Sequence, residues 1–206
     1  MPKKPQKPAP TPHKLDTRAI MRPGTQLVCA MADFDAADGY QLRIDELADV
    51  LRFSYAFVDE DDEEAFDLDA ELDETQAVTS AALGDAAELL FLSQGSASAE
   101  EDPEGPYTTC TPPFMVSRRV LAAIKAGQAP TLGIHGDTGR LAHDGTDSVS
   151  LKVNGEERNV TAVRARDEES GMTVWILDDD TWPLLLSAEF QGDNYVRLVS
   201  IYTRGK

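Results

Sequence analysis

The stretch "SVSLKVNGEERNVTAV", residues 148–163, constrains the fold more than any other. Asn-Gly is the pair that most readily takes positive φ at both centres of a tight turn, and that turn matches the right-handed twist of paired strands. On one side of Asn154-Gly155, the residues Val149, Leu151 and Val153 alternate with polar neighbours; on the other, Val160 and Ala162 do. The spacing predicts a β-hairpin. A lone hairpin is marginal in water, so further strands have to cover it. The sequence supplies "MTVWIL", "PLLLSAEF" and "YVRLVSIYT", separated by "DDDTW" and "QGDN". The C-terminal part reads as a strand meander.

A period of two recurs earlier. "TQLVCAMADF" is a short apolar run, and "DAADGY" supplies turn residues around Gly39. "YQLRIDEL" alternates Tyr40, Leu42 and Ile44 with polar residues; "DVLRFSYAFV" places Leu51, Phe53, Tyr55 and Phe57 on one face. These two predict a second hairpin. From Phe66 to Asp73 the alternation is unbroken, with Phe66, Leu68, Ala70 and Leu72 set against Asp67, Asp69, Glu71 and Asp73. That predicts a strand with one solvated, acidic face. "SAALGDAAELLFL" reads as a short helix, and residues 93–113 as a long loop. "SRRVLAAIKAGQAP" is a helix capped by Ser117, striped by Val120, Leu121 and Ile124, and ended by Gly127.

The run "VTAVRARDEESGMTVWILDDDTWPLLLSAEF", residues 160–190, resembles β-rich bacterial domains of unknown function. The resemblance implies a β-rich fold and no activity. The expected architecture is one α+β domain over residues 25–206, dominated by antiparallel strands in a sandwich or partial barrel, with two short helices. Residues 1–24, proline-rich and basic at the start, form an extended arm.

Charge is the second constraint. The 206 residues hold 37 acids and 19 bases, a formal charge of −18. Residues 1–24 carry six bases and one acid, +5, which leaves −23 on the rest. Such a field repels nucleic acid and anionic lipid from the body. Eleven acids fall in the seventeen residues "DEDDEEAFDLDAELDET". Calcium is the obvious ligand for such a run, but an EF-hand loop needs a glycine at position six and this run has none. Mimicry of a DNA phosphate array also fails on one strand, because alternate residues lie ~6.6–6.8 Å apart while duplex DNA carries one charge per ~1.7 Å. Three functions stay open for the acids: a solubilising coat, as in a salt-tolerant host, a docking face for a basic partner, or a DNA-mimic inhibitor whose charges come from more than one strand.

No apolar run approaches the roughly 20 residues that span a bilayer, and "PQKPAPTPHK" lacks the apolar core of a secretory leader. Cys29 and Cys110 are the only cysteines, which predicts reduced thiols in a cytoplasmic setting. The chemistry-bearing stretch is "GIHGDTGRLAHD", residues 133–144. Its Asp137-Thr138-Gly139 resembles the catalytic triplet of aspartic peptidases, which implies Asp137 as the acid–base group. Gly136 before it and Arg140 after it depart from that pattern, since the family's triplet follows an apolar strand. His135, Asp137, His143 and Asp144 form a candidate metal set, and His143-Asp144 is similar to the adjacent ligands of some hydrolases. The glycines at 133, 136, 139 and 145 fit a polar turn without either assumption.

The sequence expectation is a non-enzymatic protein that binds a basic protein partner, with no cofactor and no membrane or nucleic-acid contact through the acidic body. The contact residues are Asp59, Glu60, Asp61, Asp62, Glu63, Glu64, Asp67, Asp69, Glu71 and Asp73. Arg118 and Arg119 provide a positive counter-surface that also suits self-association.

Overall fold

The computed structural model describes residues 14–31, 39–48, 50–58, 68–69, 71–72, 74–79, 88–91, 107–109, 114–134 and 137–203. Strands dominate them. The first half contributes β1 (Gln26–Met31), β2 (Gly39–Leu47), β3 (Val50–Val58), β4 (Glu74–Thr79), β5 (Glu88–Phe91) and β6 (Tyr107–Thr109). The second contributes β7 (Thr131–Ile134), β8 (Asp137–Arg140), β9 (Ala142–Val153), β10 (Glu156–Arg166), β11 (Met172–Leu177), β12 (Leu185–Phe190) and β13 (Asp193–Tyr202). Among the described residues the helices are α1 (Thr17–Ile20) and α2 (Arg118–Lys125).

The Asn154-Gly155 hairpin forms as expected: both residues have positive φ, and β9 and β10 pair antiparallel from Val153↔Glu156 outward. The larger sheet runs β12-β11-β10-β9-β13-β1-β2-β3-β4, with a further β12–β13 pairing. Strand β13 gives one edge to β1, while the other is divided between β12 and, at Ser200 and Ile201, β9. Strands β9 to β13 therefore make a closed cycle of pairings. A smaller sheet runs β6-β5-β7-β8. The pairing is mixed rather than purely antiparallel: β13–β9, β5–β6 and β5–β7 are parallel.

One apolar cluster joins the elements. Leu27 and Cys29 of β1, Tyr40, Leu42 and Ile44 of β2, and Leu51, Phe53 and Tyr55 of β3 are all buried, as the alternation requires. Phe53 meets Phe114 edge-on, with ring centroids 5.1 Å apart. Ser117 caps α2 by accepting from the Val120 amide, and Val120, Leu121 and Ile124 are buried. The helix stops at Gly127, whose φ is +76. Phe114 to Val116 anchor the helix entrance: the Leu185 amide donates to the Phe114 carbonyl and the Val116 amide to the Pro183 carbonyl. At the start of β2, Gly39 lets β1 come close, since a Cβ there would sit on the Cys29 carbonyl oxygen.

Four local expectations change. Glu88–Phe91, inside the expected helix of residues 80–92, is strand β5 between β6 and β7. A short apolar run fits either element, and parallel neighbours on both sides decide it. Residues 80–87 and 92 of that expected helix lie outside the described residues. Within the expected arm, Thr17–Ile20 form α1, and Thr17 and Met21 are buried. Of the expected loop of residues 93–113, Tyr107–Thr109 are described and form β6; the rest lies outside the described residues. The alternating run of residues 66–73 is not a strand where it is described. Leu68 and Asp69 form a turn, Glu71 and Leu72 lack regular structure, and the strand begins at Glu74. A non-local bond holds it there, because the Gln26 side chain on β1 donates to the Leu68 carbonyl at 2.7 Å. Among the described residues no helix is long and apolar enough to cross a membrane.

Replacing Phe53, which is fully buried, tests this core. Phe53→Ala should cost about 3–5 kcal/mol in urea unfolding. A loss below about 1 kcal/mol would contradict the aromatic seam.

Candidate functional site

Of the expected acidic contact residues, Asp59 to Glu64, Asp67 and Asp73 lie outside the described residues. Asp69 and Glu71 are exposed, as is Glu74 at the start of β4. Leu72, between Glu71 and Glu74, is buried. A second acidic zone caps the β2–β3 hairpin. Asp45 accepts from Arg43 Nε at 2.9 Å and from Ser54 Oγ at 2.6 Å, and Glu46 accepts from Arg52 at 3.1 Å.

The positive counter-surface is largely engaged. Arg118 donates through Nε to the Thr181 carbonyl at 3.1 Å, and exposed Arg119 also has a partner. Lys125, in the last turn of α2, lies 2.5 Å from Asp178 and 2.7 Å from Asp180. Partial burial lowers the Lys125 pKa, but bonding and attraction to the two aspartates outweigh it and hold the pKa above the ordinary lysine value.

Between those aspartates, Asp179 faces the other way. Its Oδ1 accepts from the Thr181 and Trp182 amides at 2.8 and 2.9 Å, and its Oδ2 from Thr17 Oγ1 at 2.8 Å. Desolvation pushes the carboxyl up. The Trp182 amide, the Thr17 hydroxyl, the Thr181 amide and the nearby Lys14 charge together outweigh it and hold the pKa below the ordinary range. The triplet Asp178–Asp180 thus grips α2 on one side and α1 on the other. An open cleft of about 510 Å³ lies between α1 and this triplet, lined by Lys14, Asp16, Thr17, Arg18, Asp179 and Asp180 among others. Sequence reading assigned "DDDTW" only a turn. The available signal was an aspartate followed two and three residues later by Thr181 and Trp182, which is how a side chain caps its own turn.

In the segment of residues 131–144, the described residues include β7, β8 and the start of β9. Strands β7 and β8 pair from Thr131↔Arg140 to Ile134↔Asp137, and β9 follows. His135 lies outside the described residues; Asp137 opens β8, and its side chain is likewise outside them. His143 is exposed on β9 opposite Ala165. Asp144 is engaged by Arg164, whose Nε donates to its carboxylate at 2.9 Å and whose Nη2 donates to its backbone carbonyl at 2.8 Å. Arg164 also reaches Asp147 at 3.0 Å, and Trp175 Nε1 donates to the same oxygen at 2.7 Å. Asp144 therefore helps fix the bulge around Gly145, where φ is +109 and the β9–β10 register shifts. Among the described residues no group of three or more His, Cys, Asp or Glu side chains is placed to hold a metal ion.

Cys29 carries a free, buried thiol. Burial pushes its pKa up, and a hydrogen bond with Tyr40 lowers it only partly, so the value reaches about 12. The thiolate that attacks or ligates is absent at neutral pH.

Two outcomes check these assignments. Alkylation mapped by mass spectrometry should leave Cys29 unlabelled until the protein is denatured; labelling of the native protein at an exposed thiol's rate would refute its burial. Asp179→Ala should cost about 1 kcal/mol at neutral pH, after allowance for the group's exposure. A depressed folded pKa stabilises above the unfolded value, so the gap should close as pH falls through the lowered pKa. A gap that does not change with pH would remove the carboxylate from this role. No family model, curated protein or solved structure matches the chain.

Proposed function

We propose that this protein is a non-catalytic binding or regulatory protein that meets a basic protein partner through its acidic exterior. The supporting observation is how the scarce bases are used. Arg43, Arg52, Lys125, Arg158 and Arg164 each hold one or two acids of this same chain in ion pairs near the surface. With 37 acids against 19 bases, the surplus is left for solvent, counter-ions or a partner. Exposed Glu71 and Glu74 belong to the acid-rich segment.

A partner recognised this way is found by long-range steering and held by complementarity, so binding falls as salt screens the field. The same proposal includes a cytoplasmic setting, which suits the inert, reduced Cys29, and no nucleic-acid or membrane contact by the acidic body. We also read the closed cycle of β9 to β13 as a partial barrel, a rigid platform on which the acidic segments are mounted.

The test is retention of native-host proteins on the immobilised chain at about 50 mM and about 500 mM salt. The expected result is one or more basic proteins held at low salt and released at high salt, with roughly tenfold weaker retention by a Glu71→Lys/Glu74→Lys variant. The same set at both salt concentrations, or none, would leave the acids a solubilising role only.

A further inference from the structure

We infer that the outer edge of β4 is where the partner docks, and that the partner adds a basic, extended segment there as a further strand. This rests on the acidic-surface reading for the partner's charge; the place and the mode come from the sheet. Among the described residues, β4 ends the larger sheet and pairs with β3 alone. The ladder from Tyr55↔Glu74 to Val50↔Thr79 runs through six residue pairs without a register shift. By contrast, the ladders β2–β3, β9–β10, β11–β12 and β12–β13 each contain one. Six residues in regular register present an edge of about 20 Å, with backbone amides and carbonyls facing outward at alternate residues.

Edges of this kind are normally closed by lysine, proline, a bulge or a covering group. The sequence "ETQAVT" has no lysine or proline, and its register has no bulge. The smaller sheet shows what closure looks like. Its edge strand β8 offers the Arg140 amide, and the Asp167 carboxylate accepts from it at 3.0 Å. Asp167 also accepts from the Glu169 amide and the Ser170 hydroxyl, so it is fixed in that position. At the other end of that sheet, β6 is three residues long. Strand β12 is paired on both sides. Among the described residues, the long, regular, uncapped edge is β4.

Charge selects what can add to it. Exposed Glu74 opens the strand and exposed Glu71 lies three residues before it. An acidic strand, including the same segment of a second copy, is repelled there, whereas lysine and arginine side chains near that end find carboxylates. Main-chain hydrogen bonds then supply affinity and the flanking acids supply selectivity, as in other cases of strand addition.

The experiment uses the full chain and two probes: an alternating Val-Lys peptide of about eight residues, and its twin methylated at every backbone nitrogen. The twin keeps the charge but cannot donate to a sheet edge. Fluorescence anisotropy at about 50 mM salt should show the plain peptide binding at least tenfold tighter, and hydrogen exchange should slow at the amides of residues 74–79. Glu71→Lys/Glu74→Lys should weaken the plain peptide several-fold. Equal, salt-sensitive affinity for both peptides, with unchanged exchange in β4, would overturn edge addition and leave the acidic-surface reading standing. Binding of neither peptide would overturn both.

Discussion

Strand β13 is the shared wall on which the larger sheet depends. Val196, Leu198 and Ile201 are buried along it, β1 lies on one side, and β12 and β9 divide the other. The mixed pairing follows from arithmetic. Five successive strands, each antiparallel to the last, bring the first and fifth into the same direction, so a ring closed between β9 and β13 has to close parallel. Parallel pairing is slightly weaker per residue, and here it extends over only Ser200↔Lys152 and Ile201↔Val153. Asn154 reinforces this seam, since its amide donates to the Ile201 carbonyl and its side chain bonds Thr203.

Around that frame the protein places charge economically. Each exposed ion pair is worth only a few tenths of a kcal/mol to about 1 kcal/mol, so the value of a base lies in its position. Lys125 sits where α2 meets the turn after β11, and Arg164 where β9 bulges. An excess of acid that would otherwise only repel is thereby used to fix seams, while the one described thiol stays protonated in its buried place.

Local patterns proved readable where their partners are local. Asn154-Gly155, the alternation of β2 and β3, and the cap and stripe of α2 each depend on residues within a few positions, and each forms. The misread segments answer to distant partners. Residues 66–73 alternate as a strand should, yet Leu68 is held by Gln26, 42 residues away. Glu88–Phe91 carries helix-forming leucines but lies between two strands that no window of sequence links to it. Exposure of Asp69 and Glu71 was legible because charge alone dictates it. The role of Asp179 was not, because its hydroxyl partner Thr17 is 162 residues away.

That separation sets an order of events during synthesis. Strand β1 has β2 beside it early, but its other neighbour, β13, pairs Gln26 with Tyr202 and emerges only after nearly all the intervening chain. Helix α1 likewise waits for Asp179. Contacts of such long range make for slow closure and expose unfinished apolar strands on the way. Throughout that interval the carboxylates between β3 and β4 are already translated, so half-built molecules repel one another before the native barrier to aggregation exists.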